Sequence, residues 1–225
     1  MLINTISFDS YNVVKGDTAT LAHHFVLSNN YLFNPNLRIK REIYYQSLFN
    51  IPITKHSVNA FSMINETRAT TTDALVNKGT GENYGVEVSV EKFLSNRYYF
   101  LLSSSFFKSK YTGSDGIERN TRWSSNVNGT FTGGKEFVLS KGSDNTLLGF
   151  NTKVTYSGGL RTTPIDLDAS IAEGTTIFDE SQTFSQQNPA YFRIDAGMSL
   201  KLNRKKVTPA SDFTNLFAQC YNDLL

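Results

Sequence analysis

The 225-residue sequence predicts an all-β protein, an antiparallel up-and-down meander of about seven or eight strands. Three observations predict it. Apolar residues recur through most of the chain with a period of two, not 3.6. The alternating stretches are punctuated by Asn, Gly, Pro and Ser clusters of the kind that build turns. The connections between them alternate in length along the chain, short and then long.

The most regular unit is residues 83–111. Tyr84, Val86, Val88, Val90 and Leu94 hold even positions against Asn83, Glu87, Ser89 and Glu91, a strand with one greasy face. A tight Ser95-Asn96 connection and a Tyr/Phe-rich return arm make it an antiparallel hairpin. At the start, Leu2, Ile6 and Phe8 alternate briefly before the chain loosens from Tyr11 to Thr20, a partial strand and a loop. Leu21, Phe25, Leu27, Tyr31 and Phe33 mark the next strand. After a compact Asn34-Pro35-Asn36 turn, Leu37, Ile39, Ile43, Tyr45, Phe49 and Ile51 mark another, opposite Arg38, Lys40, Glu42 and Gln46. Residues 52–81 have no sustained period and read as a long polar loop. Beyond the hairpin and a loop around Gly113–Gly116, Trp123, Val127 and Phe131 open a strand running towards Phe137, with Gly133-Gly134 as a bulge. Ser140–Asn145 is a turn, and Leu148, Phe150, Val154 and Tyr156 form the following strand. A second long polar loop, 158–189, precedes the cleanest alternation, Phe192, Ile194, Ala196, Met198, Leu200 and Leu202.

Consecutive antiparallel strands place alternate connections at opposite ends. The connections 34–36, 95–96 and 140–145 are short, whereas 52–81, 113–120 and 158–189 are longer, so the turns gather at one end and the loops at the other. Outer-membrane barrels have this asymmetry. The expected architecture is therefore a partial transmembrane β-barrel over 1–207, with 208–225 as a tail. In that tail Phe213, Leu216, Phe217, Cys220 and Leu224 recur at steps of three and four, which predicts a short amphipathic C-terminal helix after Pro209.

Composition agrees with strands that alternate. The chain has 17 Phe and 11 Tyr but only 19% charged residues, and its mean hydropathy is −0.31. No window reaches the roughly 18 apolar residues of a membrane helix, yet a membrane strand needs only about ten residues with alternate ones apolar. The net charge of +2, with signs interleaved, argues against a nucleic-acid partner. The single Cys220 excludes an internal disulfide framework. After Met1 there is neither a basic start nor a long apolar run, so no signal peptide is read.

Catalytic and metal-binding patterns are weak. His23 and His24 are adjacent on a strand and point to opposite faces, so they do not chelate one metal together. Gly129 to Lys135 imitates the start of a phosphate-binding loop, but Glu136 stands where Ser or Thr is needed. Glu87 and Glu91 share a face without a positioned partner. The expectation is a protein that is not an enzyme and carries no cofactor.

Several segments resemble the C-terminal barrel portion of bacterial TonB-dependent outer-membrane receptors. They are Asn-Tyr-Gly-Val-Glu-Val-Ser-Val-Glu-Lys-Phe-Leu (83–94), Gly-Ser-Asp-Gly-Ile-Glu-Arg-Asn-Thr-Arg-Trp (113–123), Tyr-Ser-Gly-Gly-Leu-Arg-Thr-Thr-Pro-Ile-Asp-Leu (156–167) and, upstream, residues 32–46. The resemblance covers about residues 21–207. It implies an outer-membrane location and a receptor or transport role in a barrel of 22 strands filled by a plug. Outer-membrane lipid, the missing strands and the plug are then the expected partners. This chain supplies about a third of such a barrel and no plug, so it is not expected to transport alone. Ligand contacts fall in the long loops, where Arg119, Trp123 and Arg161 can grip a polar or glycan ligand of unknown identity. The alternative is a soluble all-β binding module, a lectin-like sandwich whose apolar faces form a dry core.

Overall fold

The computed structural model describes residues 2–12, 20–56, 58–67, 74–139, 146–202 and 218–221. Eight long strands form one antiparallel meander: β1 (Leu2–Asn12), β2 (Leu21–Asn34), β3 (Leu37–Thr54), β4 (Leu75–Ser95), β5 (Tyr98–Thr112), β7 (Val127–Val138), β8 (Thr146–Ser157) and β11 (Tyr191–Leu202). Two short strands complete the sheet. β6 (Glu118–Asn120) pairs with the end of β5, and β12 (Ala218–Tyr221) pairs with Arg193–Ala196 of β11. The sheet follows one path from β1 to β12, with no pairing between its two ends among the described residues. No helix of the described residues is long and apolar enough to cross a membrane, which has no bearing on crossing by strands.

Strand pairing keeps like faces together, so the alternation in each strand becomes a face of the whole sheet. One registered row runs Leu27, Ile43, Val86, Phe106, Val127. Another runs Tyr31, Ile39, Val90, Leu102, Phe131, Val154, Ile194. The opposite face carries pairs such as Arg38–Glu91, Ser89–Ser103, Thr132–Lys153 and Lys153–Asp195. Arg38 and Glu91 form an ion pair there, and Arg193 binds Asp195 at 2.7 Å.

Among the described residues, no second layer covers the apolar face of this sheet. Leu27 is 52% exposed, Ile43 56% and Phe106 52%. Buried apolar residues among those described are Ile51, Ile53, Ala60 and Tyr111, all at the loop end. The chain exposes 15541 Å², where a compact chain of 25.2 kDa would expose about 10,000 Å². A sandwich needs a facing sheet, and the second sheet here is a two-stranded ribbon of β9 (Arg161–Thr162) and β10 (Gln186–Gln187).

Several expectations need correction. The hairpin turn is Asn96-Arg97, one residue later than expected, with φ of 52° and 65°; both residues take the left-handed conformation that a two-residue hairpin turn requires. Trp123 lies before β7, not in it, because the chain from Thr121 to Asn126 packs into the loop end. Gly133 and Gly134 form no bulge: the β5–β7 and β7–β8 registers pass through them unbroken. Their missing side chains make room for aromatic rings instead, Phe131 on one face and Tyr99 on the other. The long strands reach into the first polar loop, β3 to Thr54 and β4 from Leu75. There Gly79 packs against Ile51 and Ile53, an arrangement that depends on register more than on local periodicity. The second polar loop is structured, with α1 (Leu167–Glu173) capped by Asp166, whose side chain accepts from the Ala169 N–H. The C-terminal helix is overturned for residues 218–221, which form β12: the free edge of β11 offers an unpaired ladder, and a short segment gains hydrogen bonds by joining it. The rest of that tail and the turn 140–145 lie outside the described residues.

Candidate functional site

The loop end is where buried polar side chains concentrate. Tyr111, at the end of β5, is 1% exposed, and its hydroxyl donates to the Ala60 carbonyl at 2.9 Å. Ser109, two residues earlier on the same face, donates its backbone N–H to Ser124 Oγ at 3.1 Å and accepts from Thr121 Oγ1 at 2.8 Å. Residues 58–66 and 113–126 are therefore folded over the polar face of the sheet. Loop 158–189 joins them: Gln187 Nε2 donates to the carbonyls of Ser125 and Gly159, at 3.0 and 3.1 Å.

Arg119, Trp123 and Arg161 all lie in this assembly, each bonded to the loops themselves. Arg119 pairs with Asp115 at 2.8 Å, both side chains largely buried. Burial pushes the Asp115 carboxyl up, but the Arg119 guanidinium and the Ile117 N–H outweigh it and hold the group below its usual range. Trp123 Nε1 donates to the Ile64 carbonyl at 3.0 Å. Arg161 donates to the carbonyls of Ser124 and Ser185, both at 3.2 Å, tying two loops together. These side chains shape the loop end.

Beside them is a cavity of about 380 Å³ between residues 54–66 and 162–184, towards the lower end of the range for small-molecule sites. Phe61, Phe178 and Phe184 supply apolar wall, and Glu66, Glu180 and Arg122 supply charge. Arg122 stacks over the Phe184 ring at 5.9 Å. Ser62 and Asn65 line the cavity at 1% and 2% exposure. The Ser62 hydroxyl makes no hydrogen bond in the protein, and Asn65 Nδ2 lies beside the Tyr111 phenol without completing one. Leaving such a group unsatisfied costs about 1–3 kcal/mol, and both atoms are themselves closed to solvent. The lining suits a compact ligand with an apolar or ring face and polar groups. Sequence reasoning missed all of these residues, because they sit in three separate loops without periodicity, before Glu66, at Arg122 and after Thr162, and only the fold brings them together.

Among the described residues, no group of three His, Cys, Asp or Glu side chains could hold a metal ion. In comparisons with known proteins, no family model, no curated protein and no solved structure matches the chain.

Proposed function

We propose that the chain is a section of the wall of an outer-membrane β-barrel receptor of the TonB-dependent type. In this reading lipid covers the apolar face, and the polar face lines the lumen. The loop end meets the ligand, and the chain does not transport by itself. One observation carries the reading: an uncovered apolar face continues in register across the sheet while the long loops fold over the opposite, polar face at one end. A soluble protein would have to cover that face with a second layer.

Dimensions and chemistry support it. From Tyr98 to Phe106 on β5 is eight residue steps, about 27 Å along the strand and about 20 Å after a typical tilt, close to the ~25 Å apolar band of a barrel. Aromatic residues fringe the apolar face on both sides: Phe25, Tyr45, Tyr84, Tyr156 and Phe192 towards the loops, Tyr31, Phe33, Tyr98 and Phe137 towards the turns. Such girdles mark the two membrane interfaces. The partners required are outer-membrane lipid and the strands and plug that would complete the barrel.

The neighbouring positions Met198 and Ser199 test this. Met198→Arg puts a charge against lipid and is expected to destabilise by up to ~2–4 kcal/mol, the value at the midplane, whereas Ser199→Arg, on the lumen face beside Gly149, costs little. Folding titrations into lipid vesicles measure both. Equal costs for the two variants would refute the assignment of faces.

A further inference from the structure

The apolar face carries a trench with a charged mouth. Row by row across β5, β7, β8 and β11, Tyr98, Lys135, Phe150 and Met198 are in register, and so are Leu102, Phe131, Val154 and Ile194. Between these two rows of large side chains runs Phe100, Gly133, Thr152, Ala196, three of whose four members are small. The result is an open apolar groove whose lining includes Phe100, Phe131, Phe150 and Met198, with Tyr98 and Lys135 along its turn-side flank. Phe100 and Phe131 stack along one wall, 6.3 Å apart at 25°.

The mouth is cationic. Lys92 shares the apolar face, opposite Leu37 and Phe100. Its ammonium sits 3.9 Å over the Tyr98 ring, steadied by Ser95. Lys135 is in register with Tyr98 on the neighbouring strand, and its ammonium lies 5.0 Å from the Phe137 ring. β4 and β7 are two strand spacings apart, about 10 Å, within reach of two extended lysines onto one phosphate. Glu91 and Glu136, the nearest carboxylates in sequence, belong to the opposite face.

Resting on the membrane reading, we propose that this groove is a binding site for one anionic phospholipid, with an acyl chain in the trench and the phosphate between Lys92 and Lys135 above Tyr98. Charge complementarity and depth select this occupant. The two cations stand at the turn-side aromatic fringe, where headgroup phosphates lie, and the small residues lie deeper, where hydrocarbon does.

The test uses the full chain folded in detergent, with dipalmitoyl phosphatidylglycerol titrated in and bound lipid counted by native mass spectrometry. One phosphatidylglycerol should be retained. Lys92→Gln combined with Lys135→Gln should weaken it roughly 10–30-fold, from about 1 kcal/mol per lysine. Ala196→Phe, which fills the trench and leaves both lysines, should also release it. Lys153→Gln on the polar face should not, and inorganic phosphate should not compete. Lys135→Gln alone gives an intermediate loss and serves if the double variant fails to fold. Equal retention by wild type and the lysine variants, or displacement by inorganic phosphate, would overturn the site. Neither result would touch the membrane reading, which falls instead if the chain is monodisperse without detergent.

Discussion

Arg41 is the residue that tests the proposed lipid contact of the apolar face most severely. It is exposed, between Ile39 and Ile43 on the apolar side of β3, in register with Asn29 and Val88. A guanidinium at that depth costs ~2–4 kcal/mol if hydrocarbon surrounds it, less to the extent that the side chain reaches the turn-side interface. Arg41→Leu is therefore expected to raise stability in vesicle folding titrations, by up to that amount; a loss would put a polar partner, not lipid, against this row. At the loop end the Asp115–Arg119 pair makes a pH prediction. The Asp115 carboxyl is held below its ordinary value, so its contribution is complete above about pH 4 and is lost as pH falls through the folded-state value. Trp123, the single tryptophan, donates to Ile64 within the same assembly and reports it by fluorescence. Its emission should hold steady down to about pH 4 and shift to the red below. Asp115→Asn should shift it at neutral pH and flatten the acid step. Asp179 is likewise held below its ordinary value by the Ser181 hydroxyl and the Gln182 amide, and the Asp115→Asn variant separates the two.

Within the strands, glycines divide into those that other groups press against and those that face open space. A Cβ at Gly85 of β4 would lie 2.6 Å from the Phe106 carbonyl oxygen and 2.8 Å from Phe107 Cβ, whereas a Cβ at Gly197 of β11 would meet nothing within 4 Å. Gly85→Ala is accordingly expected to destabilise by about 1–3 kcal/mol, through forced separation of β4 and β5. Gly197→Ala should be neutral within about 0.5 kcal/mol or slightly stabilising. Denaturant midpoints of both variants check this, and an equal effect would mean that the β4–β5 contact is looser than described. The strands themselves were legible in the sequence, because alternation survives wherever one face is apolar and the other polar. Legibility failed where that contrast fades. Leu75–Gly81 of β4 has no sustained period, yet it is held as a strand by pairing with β3. Helix α1 is seven residues long with no buried side chain, too short for its period to stand out. Its Asp166 cap and the left-handed Gly174 were the signals present in the loop.

At the scale of the whole molecule, the sheet is open, and its outer edges leave backbone groups unpaired among the described residues. In hydrocarbon each such group costs several kcal/mol. The chain alone is expected to need detergent to stay dispersed and to give no ligand uptake in cells that express only it. Robust uptake in such cells would refute the view that it acts as part of a larger wall. The alternation of Val86, Val88 and Val90 with Glu87, Ser89 and Glu91, and the unequal connections, determined the strand order, the two faces and the end at which the loops gather, since period and connection length are local properties of a chain. Only the tertiary structure decided that Arg119, Trp123 and Arg161 brace the loops, that Ser62 and Asn65 meet Phe184 around a cavity, and that residues 218–221 join β11. Those outcomes depend on which distant segments compete for the same hydrogen-bonding groups, and no local pattern encodes that competition.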